Sequence, residues 1–260
     1  MDIVAHNCAA WDTQVERGNE WTQPVSPEVI ARAREGEWSV VLIGYEPVPR
    51  EWFPSEMRGV HVLALASGGG QQGPVLAATG ANVTVFDNSA RQLAQDRLVS
   101  EREGLDISTV QGDMRDLSAF ADASFDLVFH PVSNLFAPTI APVWRECARV
   151  LRTGGVLMAG FMNPDIFIFD REAEEVRGEL RVRHALPYSD LTHMTEEERT
   201  RFVGDAPLEH SHSLAEQIGG QCAAGFVITE FVQAPHHTGI TRAYMPGYYA
   251  TRAVLVGARP

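Results

Sequence analysis

The sequence predicts an α/β domain: a parallel sheet with helices on both faces. Short apolar runs recur between segments of helix-compatible spacing from Gly59 onward. Those runs are mostly apolar, as expected of strands covered on both sides. Hydrophobic residues also make up 45% of the 260 residues, ample for a large core.

Residues 1–37 read as helical, with Pro27 at the first helical position after Ser26 and a stop at Gly36. Trp38 to Tyr45 reads as a short strand, followed by the proline-rich EPVPREWFP (46–54). Together, residues 1–58 form an expected N-terminal helical cap segment. Buried strands are expected at Val60–Ala66, Val83–Phe86, Ile107–Val110, Phe125–Phe129 and Val156–Met162, with helices at Gln71–Thr79, Ser89–Glu103, Asp116–Phe120 and Ala141–Leu151. The rhythm then breaks over 163–212, which is polar, carries the acidic run Thr195–Arg199 and holds Phe167, Phe169, Pro187 and Tyr188. An insertion of this length at the carboxyl edge of the sheet reads as a lid, or alternatively as a structural hairpin with a solvated helix. A helix at Ser213–Gly219 and strands at Gly225–Val232 and Tyr248–Val256 complete a main domain spanning 59–260.

Composition removes several function classes. All 21 basic residues are Arg. Without a lysine there is no Schiff-base or pyridoxal-phosphate chemistry, no phosphate loop with its GK[ST] lysine and no Tyr-x-x-x-Lys dyad. A formal net charge of −13 with no basic stripe argues against nucleic acid as a partner and for a small molecule. Cys8, Cys147 and Cys222 are far apart, which fits a reducing compartment and gives no disulfide framework. The N-terminus has neither a basic leader nor an apolar core, and no apolar run reaches ~18 residues, so the expectation is a cytoplasmic protein with no membrane partner.

The most informative stretch is VHVLALASGGGQQGPVLAATGANVTVFDNS, residues 60–89. A strand ends at Ala66, Ser67-Gly68-Gly69-Gly70 turns, a helix starts near Gln71, and a second strand ends at Asp87. Glycines let a ligand rest against the backbone at the helix N-terminus, and an acid closing the second strand faces the same crevice, where it can accept from a ribose diol. Gly68, Gly70 and Gly73 also satisfy G-x-G-x-x-G, so an NAD-dependent oxidoreductase competes. Against it stand the widened turn, the Gly112-Asp113-Met114 sequence after the third strand, and the polar cluster His130-Pro131-Val132-Ser133-Asn134 after the fourth.

Taken in order, ASGGGQQ, VTVFDNS, GDMRDL, FDLVFHPVSNLF and ARVLRTGGVLMAGF resemble the motif series of class I S-adenosylmethionine-dependent methyltransferases, of the ubiquinone/menaquinone small-molecule type. The resemblance covers about residues 59–162 and resumes with SLAEQIGGQCAAGFVITEF and the last strand. It implies a Rossmann-like, mostly parallel seven-stranded sheet with one antiparallel strand near the C-terminus. It also implies S-adenosylmethionine as cofactor. Ala66, Ser67, Gly68 and Gly70 would pass under the methionine portion and Asp87 would hold the ribose hydroxyls. Asn88 would border the adenine, Asp113 would take its amine and Met114 would pack on its face. His130 and Asn134 would lie by the sulfonium and the acceptor. One departure is Ala64, where the family's first strand carries an acid; this keeps a non-catalytic nucleoside-binding protein as a further alternative.

Methyl transfer from a sulfonium needs alignment more than covalent catalysis, and a base only when the acceptor arrives protonated. His130 is the expected base; its alternative role is to orient its own loop. His6, Asn7 and Trp11 in the cap, and Tyr188 and His212 by the lid, are expected acceptor contacts. No metal is expected: His210-x-His212 and His236-His237 supply imidazoles, but no H-E-x-x-H is present.

Overall fold

A computed structural model describes residues 2–257. The leading segment forms two helices: α1 (Ile3–Glu16), N-capped by the Asp2 carboxylate accepting from Ala5 N, and α2 (Pro27–Arg34), which opens at Pro27 as expected. Between them the chain reverses at Gly18 (φ +68°) and makes a single turn at Glu20–Thr22. The short strand expected next is β1 (Val41–Ile43), which pairs only with β2 (Glu46–Pro47) in an antiparallel ribbon apart from the main sheet.

The main sheet is built from β3 (His61–Leu65), β4 (Asn82–Asp87), β5 (Ile107–Gln111), β6 (Phe125–His130), β7 (Leu151–Met162), β8 (Phe226–Pro235) and β9 (Pro246–Leu255). Its order is β5-β4-β3-β6-β7-β9-β8, and β9 alone runs antiparallel to its neighbours. The helices α3 (Gln72–Ala78), α4 (Ala90–Glu103) and α5 (Ala141–Val150) cover its faces. Alternate residues of each central strand enter opposite cores. Val62 and Ala64 pack with Leu76, Val85 and Phe129 on one side, while Leu63 and Leu65 pack with Val128, Trp144 and Leu157 on the other. This double burial explains why the central runs are mostly apolar; β5, expected as a buried strand, lies at the sheet edge and has no buried residue. From β3 the chain winds outward through β4 and β5 in one direction, then through β6 and β7 in the other. The carboxyl ends of β3 and β6 therefore diverge and leave a crevice.

The helix expected at Asp116–Phe120 is absent. Asp113 and Asp116 instead accept from the backbone N–H two residues on, Arg115 N at 3.0 Å and Ser118 N at 2.9 Å, and Leu117 N donates to Glu146. Aspartates that cap the backbone locally compete with helix formation. The helix at Ser213–Gly219 forms as a wide turn (Ala215–Gly219) that continues into α8 (Gly220–Ala223). Within 163–212 lie a turn at Pro164–Ile168, α6 (Asp190–His193) and α7 (Glu196–Phe202), whose start is a Thr195/Glu198 capping box. Among the described residues no helix is long and apolar enough to cross a membrane.

Candidate functional site

A cavity of about 360 Å³ opens over the carboxyl ends of β3, β4, β5 and β6, under a roof made by α1, the Asn19–Trp21 turn, residues 206–209 and Tyr248. Its floor is the turn after β3. Ala66 there takes a left-handed conformation (φ +48°) unusual for a residue with a side chain, and Gly69 lies at φ +116°. A Cβ on Gly68 would sit 2.7 Å from Gln92 Cβ, and one on Gly69 would sit 2.7 Å from Trp21 O. Bare backbone is thus required for the turn to nest between α4 and the N-terminal segment.

Two carboxylates hold this floor. Asp87, at the tip of β4, accepts from Gly68 N and Ser89 N, both at 3.0 Å. Burial pushes its pKa up, opposed by those N–H donors. Each oxygen takes one amide, which leaves lone pairs for a ligand. Asp96, from α4 and fully buried, accepts from Gly69 N at 3.0 Å, and desolvation raises it to about 8. Ser89 caps α4 through Gln92 N and donates to Asp12 of α1 at 2.6 Å, which docks the cap on the start of α4. Beside the turn, Ser67 Oγ and Gln92 Oε1 are buried with no partner. Such atoms fit a polar ligand lying on the floor.

Of the residues expected from sequence, Ala66, Ser67, Gly68, Asp87, Asn88, Asp113, Met114 and Trp11 line this one cavity. Trp11 stands edge-on to Phe136 at 5.2 Å. The Asp113 carboxylate, expected to await an amine, is bound by the Arg115 guanidinium at 2.6 and 2.9 Å.

The remaining expected residues lie outside the lining. Gly70 faces α4 and gives its carbonyl to Val25 N. His130 is fully buried one layer below, with Nδ1 3.0 Å from Leu65 O and Nε2 2.8 Å from the Asn134 amide, which in turn bonds Gln217. Burial lowers the pKa of this imidazole, and neither nitrogen is free to meet a substrate. Asn7 spends its amide on Phe136 O, Leu208 O and Leu208 N, pinning α1 to the β6 loop and the segment ahead of α8. His6, on the same helix, also stays out of the lining. Tyr188 is buried against Phe167 and donates to Asp190 at 2.8 Å; His212 donates through Nε2 to Ala137 O, also at 2.8 Å.

The cavity also holds Trp21, which with Trp11 was an expected part of the cap, and residues that sequence reasoning missed: Arg115, Glu209, His237 and Tyr248. The Tyr248 hydroxyl donates to His237 Nδ1 at 2.5 Å, and the imidazole meets the Trp21 ring edge-on at 5.9 Å. The Glu209 backbone is clamped by Asp190, whose carboxylate accepts from Glu209 N at 2.8 Å. The Glu209 carboxylate itself has no hydrogen-bond or ion-pair partner among the described residues. Burial and the nearby Asp190 charge push it up to about 7, against the pull of Arg171. A signal was present: the backbone is extended at His210, which bridges Ser189, so alternation sends Glu209 to the face opposite His210 and His212.

Comparison with known proteins bears on the family and the fold. Residues 63–159 match the family model described as a methyltransferase domain. The chain is 48% identical over 255 residues to the uncharacterized methyltransferase YbaJ of Bacillus subtilis (strain 168), covering 98% of this chain and 99% of that relative. It is 37% identical over 101 residues to the sterol 24-C-methyltransferase erg6 of Aspergillus fumigatus, covering 38% of this chain and 26% of that one. Its fold is similar to the crystal structure of an S-adenosylmethionine-dependent methyltransferase from Mesorhizobium loti, with a TM-score of 0.62 at 17% identity over 79% of this chain and 94% of that one.

Proposed function

The chain belongs to the class I S-adenosylmethionine-dependent methyltransferases, and from that membership we propose where its cavity takes the donor and where it takes a small organic acceptor. The family displaces the NAD-dependent oxidoreductase and the non-catalytic readings of the glycine loop. Residues 1–58 serve as the cap and 163–212 as the lid in this reading.

The chain's own groups suit the cofactor. Backbone without side chains at Gly68, the unpartnered Ser67 Oγ and the spare lone pairs of Asp87 match a methionyl chain followed by a ribose diol. Ala66, Ser67 and Gly68 would run under the methionyl part, Asp87 would accept from the sugar hydroxyls, Asn88 would border the base and Met114 would cover its face. Asp113 can still accept an adenine amine while it holds Arg115, because a carboxylate offers about four lone-pair sites. His130 and Asn134 become positioning residues: they tie the end of β3, through Leu65 O, to the loop after β6 and to Gln217.

When bound, S-adenosylmethionine supplies a methyl group on a sulfonium already activated for in-line displacement. The protein's task is then orientation and the exclusion of water, worth up to ~7–11 kcal/mol of barrier. The roof residues Trp11 and Tyr248, with Phe136 of the loop after β6, serve that task, and the acceptor lies against them and Glu209. With a net charge of −13 and free cysteines, the protein suits a small-molecule acceptor and a reducing, cytoplasmic setting rather than nucleic acid.

The observation that carries this reading is Asp87, buried at the strand tip and bonded to the glycine turn. Calorimetric titration with S-adenosylhomocysteine and separately with NADH tests it. Tight binding of the former and none of the latter is expected; the opposite order would overturn the placement.

A further inference from the structure

Resting on that placement of the donor, we propose that the acceptor is a protonated amine with an apolar flank, and that Glu209 binds its ammonium group and takes its proton, making this chain an N-methyltransferase. Four charged side chains line the cavity, Asp87, Asp113, Glu209 and Arg115, and the single cation is spent on Asp113. Anionic acceptors such as carboxylates or phosphates therefore meet net negative walls. The half-buried Glu209 carboxylate lines this space without a partner among the described residues, and such an unpaired charge is stabilised when a cation joins it. Trp11, Trp21, Phe136 and Tyr248 surround the same volume, and aromatic faces attract ammonium groups as well as apolar flanks.

The groups around Glu209 suit a base that works near neutrality. Asp190, held by the Tyr188 hydroxyl and bonded to Glu209 N, adds negative charge behind it; Arg171 opposes this but is paired with Glu175 at 2.7 Å. Tyr248, across the cavity, stays neutral because burial raises its pKa. An ammonium has no lone pair and cannot attack. Transfer of one N–H proton to the Glu209 carboxylate frees the lone pair, which forms the new N–C bond. The C–S bond breaks with its electron pair left on sulfur, and the proton then leaves Glu209 for solvent. One proton is released for each methyl transferred.

The test uses the full chain and a donor labelled in the methyl group, incubated with a cell small-molecule extract divided by ion exchange into cationic, neutral and anionic fractions. Label is expected in the cationic fraction. Glu209→Gln should lower the initial rate at least tenfold and remove the acid limb near pH 7, Glu209→Asp should recover part of the rate, and S-adenosylhomocysteine affinity should stay within twofold in both. Label confined to the neutral or anionic fraction, an unaltered rate in Glu209→Gln, or no label anywhere while S-adenosylhomocysteine binds would each overturn the amine assignment. Failure of wild-type protein to bind S-adenosylhomocysteine would instead overturn the donor placement on which it rests.

Discussion

Replacing Asp87 with alanine removes a carboxylate that does two things, and the two can be measured apart. In the unliganded protein it accepts from Gly68 N and Ser89 N, both at 3.0 Å. Orphaning the buried Ser89 amide and the part-buried Gly68 amide costs about 1–3 kcal/mol each, less whatever water recovers, so we expect a loss of roughly 2–4 kcal/mol in urea unfolding. In the complex proposed above, the carboxylate would also accept from the ribose. Hydrogen bonds to a charged group are worth about 1.5–3 kcal/mol, which corresponds to a roughly 10- to 150-fold weaker dissociation constant for S-adenosylhomocysteine by calorimetry. The titration should be run at a temperature where circular dichroism shows the variant still folded. A stability loss with affinity changed less than threefold would mean that Asp87 only braces the glycine turn and that the sugar lies elsewhere.

Asn7→Ala should leave Phe136 O, Leu208 O and Leu208 N unpaired, and hydrogen exchange should show α1 opening at least tenfold more often, with the sheet amides unchanged. Asp96 holds in the folded state a proton that the unfolded chain, with a value of roughly 3.9, gives up. Stability therefore falls as pH rises from about 4 and levels off above about 8. Asp96→Asn should flatten that fall by more than about 2 kcal/mol between pH 5 and 9, as followed by urea unfolding; an unchanged pH slope would show that Asp96 is ionised when folded. His130→Ala should cost about 2–4 kcal/mol of stability by stripping Leu65 O and the Asn134 amide of a partner, yet leave the acid limb of the pH–rate profile in place; loss of that limb would restore His130 as the base.

The central strands were legible because each sends alternate side chains into two cores, so the sequence carries one mostly apolar run per strand. The glycine turn and Asp87 were legible for a related reason: their chemistry is local, set by residues 66–87. His130 shows the limit. Its position directly after the fourth strand is right, but whether a side chain there points to solvent or inward depends on Leu65, Asn134 and Gln217, which no local pattern reveals. Asn7, Tyr188 and His212 similarly spend their polar atoms on partners distant in sequence or on Asp190. Conversely, Glu209, His237 and Tyr248 meet only when the segment before α8 and the last two strands fold over the crevice, so their convergence was hidden. The helix expected at 116–120 failed for a local cause: Asp113 and Asp116 close turns on the amides two residues on, and Phe120 N pairs with Leu117 O rather than Asp116 O.

A crystal structure of the complex with S-adenosylhomocysteine tests the account most directly. It should show both ribose hydroxyls within hydrogen-bond distance of the Asp87 carboxylate, Met114 against the purine, and the thioether sulfur turned toward the space bounded by Glu209 and Tyr248. A nucleoside bound away from Asp87, or a sulfur turned from that space, would contradict it.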